Sequence, residues 1–149
     1  MAQESKSEAA ETSGEKVAAP LSAILAARPV WITYAPLRSE VAFRDFIALP
    51  ENTAVYEIAP RAALDPFEEA RKAAAFVDGR DACVLMPGRA FDAYGTRLGQ
   101  GGGWYDRLLS AVPRVWIRVG FCAEERFSTE RLLRQPWDQP VDYLCVVNG

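Results

Sequence analysis

Residues Met86–Leu109 read MPGRAFDAYGTRLGQGGGWYDRLL. A short apolar run, Cys83–Met86, leads into this stretch, and Trp104–Ser110 has the composition of a helix leaving it. Between them, Gly99, Gly101, Gly102 and Gly103 place four glycines within five residues. Arg97 and Arg107 flank the glycines, and Asp92 and Asp106 stand close by. Glycine admits positive φ and lets a ligand approach the main chain. A helix start offers unpaired N–H groups and a partial positive charge, which together favour phosphate. Arginine adds a forked donor suited to phosphate oxygens, and a carboxylate can hold Mg²⁺ that phosphates share. A glycine cluster alone more often marks a turn or a bulge. The arginines, the aspartates and the strand-to-helix position together point to a phosphate site. Neither common nucleotide motif is present. No Lys-Ser or Lys-Thr follows the glycines, and Trp104 stands where the dinucleotide fingerprint needs glycine.

Outward from this loop, apolar runs alternate with helical patterns. Strands are expected at Val30–Tyr34, Thr53–Ile58, Asp81–Met86, Val115–Phe121 and Val141–Val147. Helices are expected at Leu21–Ala27, Glu40–Leu49, Pro66–Phe76, Trp104–Ala111 and Ser128–Arg134. Asp65 is the N-cap of the third helix with Pro66 in its first turn, and Ser128 caps the last. Alternating strands and helices make βαβ units, so the fold class is α/β with a mainly parallel sheet of about five strands. In such sheets ligands bind beyond the carboxyl ends of the strands, where Pro87–Gly103 lies. Residues 1–19 are rich in Glu, Ser, Ala and Lys without a hydrophobic period and read as a disordered tail. Residues 20–149 then form a single domain, large enough to bury a core.

The composition excludes more than it proposes. The chain of 149 residues contains no histidine, so a Ser-His or Cys-His catalytic pair cannot exist. Acid–base work at neutral pH would fall to carboxylates, Tyr or Cys. Cys83, Cys122 and Cys145 are odd in number, widely spaced and set in apolar runs, which argues against disulfides or a zinc site. The net charge is −3, and the arginines are interleaved with acids, so no basic stripe for nucleic acid is implied. No apolar run follows the first charges and none is long enough to span a membrane, which makes the cytoplasm the expected location.

The central loop resembles the nucleotide loop of the 5-formyltetrahydrofolate cyclo-ligase family. The pattern is Pro87, then Phe91-Asp92, then Gly95-Thr96-Arg97-Leu98-Gly99-Gln100-Gly101-Gly102-Gly103-Trp104-Tyr105-Asp106. Shorter similarities flank it: Tyr34–Glu40 is similar to the family's first strand with its substrate-contacting glutamate, Glu40. Pro136-Trp137-Asp138, followed by Val141-Asp142, is similar to the C-terminal segment, with Trp137 in place of the usual histidine. The resemblance implies a three-layer α/β/α fold of the type shared with sugar-phosphate isomerases and CoA transferases. It implies ATP as co-substrate, Mg²⁺, a reduced folate as the small-molecule partner, and a place in one-carbon metabolism. The implied reaction is closure of 5-formyltetrahydrofolate to 5,10-methenyltetrahydrofolate with release of ADP and phosphate.

Carried over residue by residue, the resemblance assigns ATP binding to Arg97, Leu98, Gly99, Gln100, Gly101, Gly102, Gly103, Trp104 and Tyr105, with Arg97 as the catalytic cation. It assigns substrate contact to Glu40 and to Gln100, Gly101, Gly102, Gly103 and Trp104, and the metal to Asp106 and Asp138. On chemistry alone, Asp106 could equally favour its helix start, Asp138 could belong to a turn, and Trp104 could be packing. Two departures stand out. The family's opening helix carries Lys-x-x-x-Arg, whereas here Lys16 is followed by Pro20. The segment Ala59–Gly79, which helps wall the folate pocket in the family, is short. These departures motivate an alternative, a cyclo-ligase-like module that binds nucleotide or a partner without turnover. A sugar-phosphate enzyme of the same fold type is a third reading, supported by fold analogy alone. The oligomeric state is left open.

Overall fold

The computed structural model describes residues 19–38, 40–60, 64–99 and 103–147. The expected tail lies outside them, apart from Ala19, which opens the first helix. The main sheet holds β1 (Val30–Tyr34), β2 (Ala54–Ile58), β3 (Ala82–Pro87), β6 (Ile117–Ala123) and β8 (Tyr143–Val147). Their order is β2-β1-β3-β6-β8, and every pairing is parallel. β1 and β3 are buried along their whole length. That burial is why their sequences, VWITY and ACVLMP, run nearly continuously apolar instead of alternating: both faces of a parallel sheet are covered.

Helices α2 (Pro66–Val77) and α3 (Trp104–Ser110) cover one face, where Ala70, Ala73, Leu108 and Leu109 pack on Val30, Ile32, Val84 and Met86. Helix α1 (Ala19–Ala26) and a 3-10 turn at Phe43–Asp45 cover the other, where Leu21, Leu25 and Phe43 meet Trp31, Leu85 and Phe121. The result is the three-layer α/β/α arrangement. Asp65 caps α2 as its sequence predicts, its carboxylate accepting the Phe67 N–H at 3.2 Å. No helix among the described residues is long and apolar enough to cross a membrane.

Two expected helices do not form. Within Glu40–Leu49 only the 3-10 turn is helical. An α-helix there would need the Val41 carbonyl for the Asp45 N–H. That carbonyl instead accepts the Tyr34 hydroxyl, and the Asp45 N–H turns to Ala42 O at 3.0 Å. The apolar spacing that imitates a helix serves to seat Phe43 and Ile47 on the sheet. Ser128–Arg134 is likewise not helical: Phe127–Ser128 forms β7, which pairs with β4 (Ala90–Asp92). The Leu132 N–H, which a helix would give to Ser128 O, goes to the Asp92 carboxylate at 2.8 Å. Together β4, β7 and β5 (Arg97–Leu98) make a second, three-stranded sheet that the sequence does not announce.

Candidate functional site

The loop that leaves β3 is a short hairpin, β4 and β5, laid against the carboxyl end of the main sheet. The Phe91 ring is fully buried there, and a Cβ on Gly120 of β6 would overlap it, so glycine is what lets the hairpin dock. Asp92 is buried and accepts the N–H groups of Tyr94 and Thr96 at 2.9 Å and of Leu132 at 2.8 Å. This carboxylate is therefore a scaffold for the loop and is not offered to a ligand. Arg134 adds a second tie, its guanidinium donating to Thr96 Oγ1 at 2.9 Å and to Tyr94 O at 2.8 Å. The Val141 N–H closes the wrap on Gly95 O at 2.9 Å. Residues 128–141 are thus strapped around the hairpin, and the strap carries Trp137, Asp138 and Gln139 to the start of α3.

Arg97 is held on two sides. Its Nε donates to Pro87 O at 2.6 Å, and its guanidinium lies 4.6 Å from the centroid of the Tyr105 ring. Gly103 sits at φ 65°, in the left-handed region that glycine tolerates, and caps α3. From the first turn of that helix Asp106 faces Asp138. Burial lifts the Asp106 carboxyl above its ordinary range, and the neighbouring Asp138 charge adds to the lift. The Gln139 N–H, which donates to Asp106 Oδ1 at 2.9 Å, and the Arg97 cation oppose it. Asp138 is fixed by its own turn, accepting the Gln135 N–H at 2.8 Å and donating its N–H to Gln135 O at 3.0 Å.

Two like carboxylates held side by side make a place for a cation. Among the described residues no three His, Cys, Asp or Glu side chains gather at one point. A pair of carboxylates completed by phosphate oxygens and water is the donor set that suits Mg²⁺. Behind the pair, Arg118 is buried in β6 and donates to Gln139 Oε1 at 2.8 Å and to Leu109 O at 3.2 Å. Burial and the Arg114 charge pull its pKa down to about 10, against Asp142, so it stays cationic at neutral pH. It joins the end of α3 to the residue that orients Asp106.

Arg97, Leu98, Gly99, Gly103, Trp104, Tyr105, Asp106 and Asp138 all line one cleft of about 440 Å³, completed by Leu132, Leu133, Gln135 and Trp137. Gln100, Gly101 and Gly102 lie outside the described residues. Trp104 is packing as much as wall: its indole N–H donates to Leu64 O at 3.0 Å, and its ring meets Tyr105 edge-on at 5.2 Å. Glu40 does not line this cleft. It closes a turn beyond β1, accepting the Leu37 N–H at 2.8 Å, and its charge helps to raise the Tyr34 phenol, after burial and Tyr105. Leu132, Leu133, Gln135, Gln139 and Arg118 escape the sequence reading. All but Arg118 lie in the strap, and the helix-like pattern of its first half, Ser128–Arg134, hid that it wraps the loop.

A parallel three-layer fold whose glycine-arginine loop and carboxylate pair share one cleft defines an α/β class. Residues 38–147, most of the chain, match the 5-formyltetrahydrofolate cyclo-ligase family. The chain belongs to that family. It is similar to the 5-formyltetrahydrofolate cyclo-ligase of Mycoplasma genitalium, 28% identical over 150 aligned positions that cover 91% of this chain and 84% of that protein. It is also similar to the Escherichia coli cyclo-ligase, 38% identical over 58 residues, covering 39% of this chain and 32% of that one. The solved structure of a 5,10-methenyltetrahydrofolate synthetase from Mycoplasma pneumoniae shares the fold. Its TM-score is 0.58 at 22% identity, with 84% of this chain and 79% of that chain covered.

Proposed function

We propose that residues 20–149 form one catalytic domain that closes 5-formyltetrahydrofolate to 5,10-methenyltetrahydrofolate at the expense of ATP. The formyl oxygen is a poor leaving group, so attack on the formyl carbon by the neighbouring folate nitrogen stalls. Transfer of the terminal phosphoryl group to that oxygen releases ADP and makes the oxygen a good leaving group. The nitrogen then bonds to the formyl carbon and loses its proton, and phosphate departs with the oxygen. Phosphoryl transfer asks a protein mainly for positioning and charge neutralisation. No protein nucleophile is needed, which suits a chain without histidine.

In this reading Arg97, steadied by Pro87 O and Tyr105, offsets charge on the transferred group. Asp106 and Asp138 hold Mg²⁺, which when bound shares the phosphate charge. Leu98, Gly99, Gly103, Trp104 and Tyr105 form the described wall against the nucleotide, and Glu40, beyond β1, reaches the folate. The observation that carries the proposal is the convergence of Arg97, Gly99 and Gly103 with the Asp106–Asp138 pair on one cleft. The non-catalytic module stays as a second reading because Pro20 occupies the place of the arginine in the Lys-x-x-x-Arg pair.

The test is to mix the full chain with Mg²⁺, ATP and 5-formyltetrahydrofolate and follow near-ultraviolet absorbance of the methenyl product. Wild type is expected to form it and Asp106→Asn, which keeps shape and removes charge, is expected not to. Nucleotide binding without product after long incubation at high concentration would transfer the conclusion to the module.

A further inference from the structure

Trp137 has no role in the chemistry above, yet its indole is 64% exposed and walls the cleft. The chain's other three tryptophans are committed to packing. Trp31 is buried with its N–H on Leu25 O, Trp116 is buried, and Trp104 is tied to Leu64 O. Trp137 is not on a loose loop. It lies inside the Gln135–Asp138 turn, closed by two hydrogen bonds of 2.8 and 3.0 Å, one residue before the carboxylate that faces Asp106. Leu133, 80% exposed, and Leu98, 46% exposed, share the same cleft.

The cleft therefore has two chemically different sets of lining groups. Arg97, Asp106 and Asp138 bring charge and Gly103 an open backbone, whereas Trp137, Leu98 and Leu133 present an indole and two leucines to solvent. A ligand that meets both must join phosphates to a flat apolar body, and a nucleotide does so in one molecule. Aromatic rings prefer offset or edge contacts with other flat rings, and an exposed tryptophan offers a whole face for one. Trp137 also walls an adjoining cleft of about 600 Å³ with Gly103, Asp106, Arg107, Ser110 and Gln139. Gly103, Asp106 and Trp137 line both spaces, so the two adjoin at these residues.

We propose that Trp137 is the stacking platform for the nucleobase in the cleft of Arg97. The assignment rests on the nucleotide reading of the site, and its test separates the two. Fluorescence quenching by acrylamide reports the exposed tryptophan, and Trp137→Phe identifies that component by removing it. With Mg²⁺ present, ATP is expected to shield the component, whereas inorganic triphosphate, which has no base, binds and leaves it quenchable. Trp137→Ala is expected to weaken ATP roughly five- to hundredfold, the worth of one base stack, and to leave triphosphate affinity within about twofold. Trp137→Phe, which keeps a ring, retains ATP affinity within a few-fold. ATP binding with quenching unchanged, or equal losses for ATP and triphosphate in Trp137→Ala, overturns the platform and leaves the phosphate site standing. Shielding by 5-formyltetrahydrofolate alone overturns the assignment to the nucleobase. Binding of neither ATP nor triphosphate to wild type overturns the nucleotide reading and the platform with it.

Discussion

Arg97 and Asp106 carry opposite charges in one cleft, and removing each has a different consequence. Arg97→Ala is expected to weaken Mg²⁺–ATP binding about ten- to hundredfold, because one hydrogen bond to a charged group is worth about 1.5–3 kcal/mol. Calorimetry that finds equal affinities would take Arg97 out of the site. Asp106 is a carboxyl whose pKa is raised by burial and by Asp138. A raised carboxyl favours folding while it is protonated, and that contribution is lost as pH rises through the raised value. Without metal, the neighbouring Asp138 charge repels the ionised form of Asp106. Asp106→Asn is therefore expected to stabilise the metal-free protein by about 1 kcal/mol, roughly 2–4 °C in Tm. The gain should vanish in acid, below the ordinary aspartate range. Thermal melts across pH check it, and a variant less stable than wild type at neutral pH would contradict the repulsion. Mg²⁺ affinity should fall with acidity sooner than an ordinary aspartate predicts, since the protonated carboxyl is no ligand.

The decisive element is the strap, residues 128–141, which has little regular structure and is held by side chains. Asp92 bonds the hairpin turn with one oxygen and Leu132 with the other. Asp92→Asn keeps one acceptor but turns an amide N–H₂ toward a backbone N–H, whichever way it is placed. Loss of charge-assisted bonds at a buried group is expected to cost about 2–3 kcal/mol. The strap should loosen with it, and ATP affinity should fall although Asp92 touches no ligand. Urea unfolding with nucleotide titration reads both; a stable variant with unchanged affinity would show that the strap does not position Asp138. Sequence reading counted Asp92 among the loop's acids, and nothing local separates it from Asp106. What separates them is a partner 40 residues away in the chain.

Across the whole molecule, the main sheet is legible because each strand is an apolar run and each crossover a helical or turn-bounded segment. Helix α1 belongs to that core: Leu21 and Leu25 are buried against the sheet. Removing residues 1–18 is expected to leave Tm and ATP affinity unchanged, on composition alone. Removing residues 1–26 should cost about 3–6 kcal/mol, the burial of two leucines at about 1.5–3 kcal/mol each. Loss of ATP binding in the shorter truncation would bring Lys16 back as a phosphate ligand. By itself the sequence determined the α/β class, the parallel core, the capped α2, the family, and the loop that bears Arg97 and Asp106. These follow from local pattern, because periodicity, capping and a long motif act over neighbouring residues. Tertiary structure alone decided that Glu40–Leu49 and Ser128–Arg134 are not helices, that Asp92 is scaffold, and that Trp137 walls the cleft at the start of α3. In the two lost helices a partner outside the segment, seven residues away for Val41 and 40 for Leu132, captured a hydrogen-bonding group that local pattern had assigned to the next turn. Such captures are settled by packing, where a Tyr34 hydroxyl or an Asp92 carboxylate outcompetes the next turn of a helix.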